Sequence, residues 1–301
     1  MNALFNNKDV IFEIKNKVEQ QDTSLYSHYC IDNVIDENAI SIVMTASNRS
    51  KQTYFTLKTI SNSIFKNVQI ILVDDSDCDP ITIDELKKFN LYIDFIIIKR
   101  ENKKWHNPLV NYNIGFQFIK GNKIIIQNAE VCHVGDVVRF VNESVFDNYY
   151  VFDVFACNDF DKNEIIYNSG INHSIFDDSS LTSYQSKNNS NNYHFLTALS
   201  KQTFDKIKGF SYDFTMGSAY DDNDFLLKIK STNTPIVNIW HEEYTIGGIH
   251  LYHKSSVEWN QNVESNGTFF MLKQCLYNCT GNYLDITENP NEFYERFHKL
   301  I

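Results

Sequence analysis

The sequence predicts an α/β fold with a mainly parallel central sheet flanked by helices. Short apolar runs at residues 40–44, 68–73, 92–98 and 124–126 are too brief for helices and read as strands buried on both faces. Amphipathic stretches separate them, and strands alternating with helices imply βαβ units. Three of the runs stop at polar residues, Thr45, Asp74 and Gln127. Parallel neighbours would bring those ends to one crevice, where open α/β sheets bind ligands.

Taken in order, residues 1–38 carry a loose helical pattern (Val10, Ile11, Ile14, Val18) and read as an N-terminal extension. Strand 40–44 runs through a polar turn at 45–49 into a helix with apolar positions Tyr54, Leu57, Ile60, Ile64 and Phe65. Strand 68–73 ends at Asp74 and Asp75, and a short helix near 83–89 precedes strand 92–98. Asn107-Pro108 starts the next helix, since Asn can cap it and Pro suits a first position that needs no N–H. Leu109, Tyr112, Phe116 and Ile119 mark its face and Gly121 its end. Strand 124–126 then meets a polar corner, Asn128-Ala129-Glu130, and a helix with Val137, Val138, Val141 and Val145 follows. Beyond an aromatic β segment at 149–157, residues 170–192 lose periodicity and read as a long loop, a lid or a mobile segment. Segment 196–210 predicts a short helix stopped by Gly209, and a further helix with Phe225, Leu226 and Ile229 begins in an acidic cluster. A strand at 236–240, Gly247-Gly248, His250 and His253, an apolar stretch at 269–277 and a helix capped by Asn289-Pro290 (Phe293, Phe297, Leu300) complete the chain. The organisation expected is an extension at 1–38, one domain at 39–260 and a helical extension at 261–301.

Composition narrows the function. The 301 residues are 43% hydrophobic and 22% charged, an ordinary globular balance. The net charge of −11 and the lack of a basic cluster exclude nucleic acid as a partner. The first twenty residues interrupt every apolar run with charge, and no stretch reaches the length of a membrane span. Six cysteines without a CxxC spacing read as free thiols in a reducing compartment, so a cytoplasmic protein is expected.

The polar residues at the strand ends suggest the chemistry. Asn128 and Glu130 can offer oxygen to one hard cation if the turn brings them together. Four acids, Asp213, Asp221, Asp222 and Asp224, precede or open one helix. The helix dipole accounts for one or two of them at about 0.3–1 kcal/mol each, and three acids in four residues exceed what capping needs. His250 and His253 could ligate a metal where acids converge on them.

In this order the features resemble the GT-A glycosyltransferases, in particular the family-2-like and galactosyltransferase-related branches, over about residues 40–255. ISIVMTASNR is similar to the family's first nucleotide-binding strand, which implies that Thr45, Ser47 and Arg49 contact the nucleotide. VQIILVDDSD is similar to the second, implying that Asp74 or Asp75 contacts the base or ribose. NYNIG, with Asn113 and Gly115, resembles the family's Asn-x-Gly helix, and Asn128-Ala129-Glu130 stands where the family has its D-x-D metal corner. The resemblance implies a UDP-sugar donor, Mn²⁺ or Mg²⁺ on Glu130 with His250 or His253, Asp222 as the base with Asp221 and Trp240 orienting the acceptor, and inversion at the anomeric carbon. The acceptor would be a glycan, glycolipid or glycoprotein. Two other readings fit the residues: a sugar- or nucleotide-binding protein that keeps the fold without activity, and a nucleotidyltransferase. The latter should carry a Gly/Arg/Lys-rich phosphate loop after its first strand, and TASNRS is not one.

Overall fold

A computed structural model describes residues 7–31, 34–144, 147–254 and 261–298. It opens with α1 (Lys8–Glu19), whose Ile11, Ile14 and Val18 are buried at helical spacing. The first strands and helices are β1 (Tyr26–Ile31), β2 (Ile40–Ala46), α2 (Ser50–Ser61), β3 (Val68–Asp74), α3 (Ile83–Leu86), β4 (Tyr92–Ile98), α4 (Leu109–Phe116) and β5 (Lys123–Asn128). β2 pairs in parallel with both β3 and β5, and β3 with β4. Every residue of β3 is buried, which is why residues 70–73 are an apolar run rather than an alternation, while the buried Gln69 is satisfied by Ser41 and Asp94. The register sets Thr45 opposite Asn128 and Ala46 opposite Asp74, so the polar strand ends converge as the sequence predicts.

The second half departs further from expectation. It contains β6 (Val131–Val134), α5 (Val137–Glu143), β7 (Tyr149–Phe152), β8 (Val154–Ala156), α6 (Phe160–Ser169), β9 (Thr182–Gln185), β10 (Leu196–Ser200) and α7 (Lys201–Ile207). After these come α8 (Asp221–Ser231), β11 (Ile236–Ile239), α9 (His241–Tyr244), β12 (Gly247–His250), α10 (Gln261–Thr280) and α11 (Pro290–His298). Among the described residues, one sheet of eight strands runs β1-β4-β3-β2-β5-β10-β7-β11 and a smaller one runs β6-β12-β8-β9. The large sheet is mostly parallel, with β1, and β10 between β5 and β7, running antiparallel to their neighbours.

Several elements correct the sequence reading. The helix after β2 stops at Ser61, and Ile64 is exposed because Ser63 Oγ and the Ile64 N–H both donate to Asp136 (2.6 and 3.0 Å). α4 ends at Phe116, short of Gly121. A Cβ on Gly121 would lie 2.2 Å from the Ala39 carbonyl oxygen, so close backbone approach requires the glycine there. Segment 196–210 begins as strand β10 before it becomes α7, and the aromatic segment at 149–157 is two strands that enter different sheets on either side of Asp153. The presumed loop at 170–192 contains β9, paired antiparallel to β8. Val145 and Leu300 lie outside the described residues, as does the side chain of Phe297.

Candidate active site

The corner after β5 is fixed by Gln127. Its amide donates to the Val131 carbonyl (3.0 Å), and its oxygen meets His133 Nε2 at 2.8 Å. Burial drives the His133 imidazole down to about 4, so it stays neutral. Antiparallel pairing of β12 with β6 sets His250 opposite Val131, and the Leu251 N–H bonds the Glu130 carbonyl at 3.0 Å. The close pairing depends on Gly248, where a Cβ would stand 2.6 Å from Val131 Cγ1. Past β12, the Tyr252 backbone is held by Asn163 (2.8 and 2.9 Å) and Gln52 (3.1 Å), which places His253.

These constraints gather Glu130, His250 and His253, whose ligand atoms all lie within 4.8 Å of one another. His250 Nε2 and His253 Nε2 stand 3.2 and 3.3 Å from Glu130 Oε1. His253 Nδ1 is 2.9 Å from the Lys254 carbonyl, a bond that needs the proton on Nδ1 and leaves a lone pair on Nε2 of the neutral ring. Such a lone pair facing a carboxylate oxygen suits a cation between them. Glu130 Oε2 is buried with no hydrogen-bond partner. This donor set therefore fits a divalent metal, with both histidines rather than one of them facing the carboxylate. Arg49 Nη1 also lies 2.5 Å from Glu130 Oε1. Burial would push the Glu130 carboxyl up, but the Arg49 guanidinium and then His250 override it and hold it well below the usual range.

The turn after β2 is built by a residue the sequence reading passed over. Asn48 adopts φ +55°, which Asn tolerates better than most residues. Its side-chain oxygen accepts the N–H groups of Asp77, Cys78 and Asp79 at 3.0, 3.0 and 3.1 Å. Thr45 is half-buried at the strand end, and Ser47 Oγ donates to the Asp75 carbonyl (3.3 Å). Asp74 folds the loop, accepting from the Ser76 hydroxyl (2.5 Å) and the Ile81 N–H (3.0 Å). Asp75 meets Lys103, Arg100 and the Asn111 amide. Asn111 thus joins this cluster, whereas the Asn113 amide is taken up by the Phe210 backbone (2.9 and 3.0 Å).

The acidic cluster at the start of α8 separates into distinct environments. Asp221 is buried and accepts from the Asn107 amide at 3.1 Å; burial, then the charge of Asp222, pushes its carboxyl up to about 6. Asp222 is more exposed, and its Oδ1 lies 2.6 Å from Nδ1 of the buried His194. That contact is an ion pair without hydrogen-bond alignment, since His194 Nδ1 has no directional partner. Burial opposes the His194 charge, but Asp222 and Asp221 outweigh it and raise its pKa. Asp224 and Asp213 turn to Lys273 of α10, at 3.0 and 2.8 Å. Ala219 and Tyr220, before α8, are both left-handed (φ +63° and +65°), and Asn266 of α10 donates to the Ala219 carbonyl at 3.0 Å.

Tyr112 joins the two halves. Its hydroxyl donates to the Gln127 carbonyl at 2.9 Å, and its ring packs edge-on against His194 with centroids 5.3 Å apart. Burial and the charges of Glu130, Asp222 and Asp221 all raise its pKa. Tyr184 lies against His250 (4.9 Å between centroids) and Phe195 (5.5 Å). Trp240 is half-buried just before α9. Neither His194 nor Tyr184 carried a periodic or spacing signal. Both sit in the stretch that reads as loop or as the approach to a helix.

Comparison with known proteins agrees with this architecture. Among solved structures, residues 1–349 of S. aureus TarS in complex with UDP-GlcNAc align over 87% of this chain and 73% of that one, at 13% identity and a TM-score of 0.55. A longer S. aureus TarS structure aligns over 86% of this chain at 12% identity and a TM-score of 0.56, and this chain spans 43% of its length. These likenesses concern the fold. No curated protein sequence matches the chain. The family model for glycosyl transferase family 2 matches residues 41–220, more than half of the sequence and the part that carries both nucleotide-type strands and the Glu130 corner. The chain belongs to glycosyl transferase family 2.

Proposed function

We propose that the protein transfers a hexosyl group from a UDP-sugar to an acceptor hydroxyl with inversion, Asp222 serving as general base. The observation that carries this reading is the juxtaposition of a metal-type cluster, Glu130 with His250 and His253, and a paired carboxylate, Asp222 with His194, joined through Tyr112 at the carboxyl ends of β2, β3 and β5. UDP is favoured because the TarS complexes of the same fold hold UDP-GlcNAc and UDP.

Glu130, His250 and His253 would hold a divalent cation, and two imidazole ligands favour Mn²⁺ over the oxygen-seeking Mg²⁺. Bound there, the cation would offset the charge that develops on the departing diphosphate. Ser47 and Arg49, on the turn after β2, line the diphosphate, and Asp75, steadied by Lys103 and Asn111, faces the nucleoside. Asn128 adds an amide at the corner. Asp222 takes the acceptor proton as the new C–O bond forms, an effect typically worth about 10²- to 10⁴-fold. The buried His194 fixes one Asp222 oxygen and leaves the other for the acceptor. Asp221, held by Asn107, adds negative charge behind the base.

The test is Asp222→Asn, which keeps size and capping ability while removing proton acceptance. Turnover of UDP-sugars, read as UDP release, should fall by at least about 10²-fold, or about 2.7 kcal/mol in activation free energy, with UDP affinity unchanged. Near wild-type turnover would exclude Asp222 as the base. A wild-type protein that binds UDP-sugars without ever cleaving them would instead favour a binding protein on this fold.

A further inference from the structure

We infer that Arg49 holds the cation position at Glu130 in the nucleotide-free protein and yields it when a nucleoside diphosphate binds, so that donor and metal bind cooperatively. This rests on the placement of diphosphate and metal proposed above. Arg49 Nη1 lies 2.5 Å from Glu130 Oε1, the same oxygen that His250 Nε2 and His253 Nε2 face at 3.2 and 3.3 Å. A divalent ion bound by these three residues would share that oxygen with the guanidinium. Two cations on one carboxylate oxygen repel each other, and the repulsion is strong where Glu130 is nearly fully buried.

Charge at the cluster points the same way. The guanidinium offsets the charge of the Glu130 carboxylate, so the resting site gives an incoming cation little attraction. Without the guanidinium that carboxylate oxygen is open to the cation. Among the described residues Glu130 is the one side-chain partner of the Arg49 guanidinium, leaving donors of its planar fork for a diphosphate, which it can bind bidentately. The backbone beneath is anchored: the Arg49 carbonyl accepts from the Thr53 N–H (2.9 Å) and hydroxyl (2.8 Å), and Asn48 is locked onto the 76–79 loop. Rotation of the Arg49 side chain therefore suffices for the exchange. A diphosphate carries more negative charge than one carboxylate, so it draws the guanidinium away and frees Glu130 Oε1. Coupling of this kind is reciprocal: the factor by which UDP tightens Mn²⁺ is the factor by which Mn²⁺ tightens UDP.

Calorimetric titration of Mn²⁺ into the full chain, with and without saturating UDP, tests this on wild type, Arg49→Gln and Arg49→Lys. Without UDP, Arg49→Gln should bind Mn²⁺ at least about 10-fold more tightly than wild type, about 1.4 kcal/mol. Arg49→Lys keeps the charge and should remain weak. UDP should tighten Mn²⁺ at least about 10-fold in wild type and by a clearly smaller factor in Arg49→Gln, where only direct attraction between cation and diphosphate remains. Equal Mn²⁺ affinity of wild type and Arg49→Gln in the absence of UDP, or Arg49→Lys behaving as Arg49→Gln, would overturn the exchange while leaving the proposed function standing. A wild-type chain that binds neither UDP nor Mn²⁺ would overturn both.

Discussion

Replacing Lys273 by Met should cost about 3–5 kcal/mol of stability at neutral pH, the usual cost of removing one partner from a buried ion pair. Lys273 is 1% exposed, and its ammonium lies 2.8 Å from Asp213, 3.0 Å from Asp224 and 3.1 Å from Asp285. It also donates to Ser211 Oγ (3.1 Å) and Tyr283 Oη (2.7 Å). Burial alone would discharge it, but the three carboxylates outweigh that and raise its pKa, so it is charged throughout the accessible range. Methionine keeps most of its unbranched length and supplies no charge. Among the described residues, Lys228, 3.4 Å from Asp285, would then be the one cation left to compensate three carboxylates, two of which are fully enclosed. Those carboxyls would be driven to protonate, with folded-state pKa values above the unfolded value of about 3.9. A carboxyl whose folded pKa is raised costs stability at high pH, and that cost fades as pH falls through the raised value. The loss should therefore be largest near pH 8 and shrink toward pH 5. Urea unfolding of wild type and Lys273→Met at both pH values measures it, provided the slope of the transition is unchanged. A loss below about 1 kcal/mol, or an equal loss at both pH values, would refute the assignment of Lys273 as the compensating charge.

Other perturbations probe separate links. Gly121→Ala should destabilise by about 1–3 kcal/mol, because the new methyl meets the Ala39 and Ser41 backbone rather than a movable side chain; an unchanged melting temperature would show that this approach is not tight. His194 has a raised folded pKa, so its contribution is complete below its unfolded value of about 6.5 and is lost as pH rises through the folded value. His194→Asn should consequently lose more stability relative to wild type at pH 6 than at pH 8.5, and a loss independent of pH would contradict the pairing with Asp222.

The sequence by itself determined the parallel half of the sheet and the convergence of its polar strand ends. β2, β3, β4 and β5 are buried on both faces, which forces mainly apolar runs, interrupted by Ser41, Gln69 and Asp94 bonded in a chain across three strands, and their polar ends are visible because the apolar runs stop there. It also singled out Glu130, His250, His253 and the acidic cluster. The short strands β6, β10 and β12 escaped detection because four or five residues, some of them polar or glycine, leave no period to count. Tertiary structure alone decided that both histidines face Glu130, since this follows from pairing β12 with a strand more than a hundred residues earlier. It likewise decided what each acid of the cluster does. Successive helical residues point about 100° apart, so Asp221, Asp222 and Asp224 reach three different neighbours, Asn107, His194 and Lys273, each supplied by a distant segment. Adjacent carboxylates look equivalent along a chain; packing gives one a polar clamp, one a buried imidazole and one a buried ammonium.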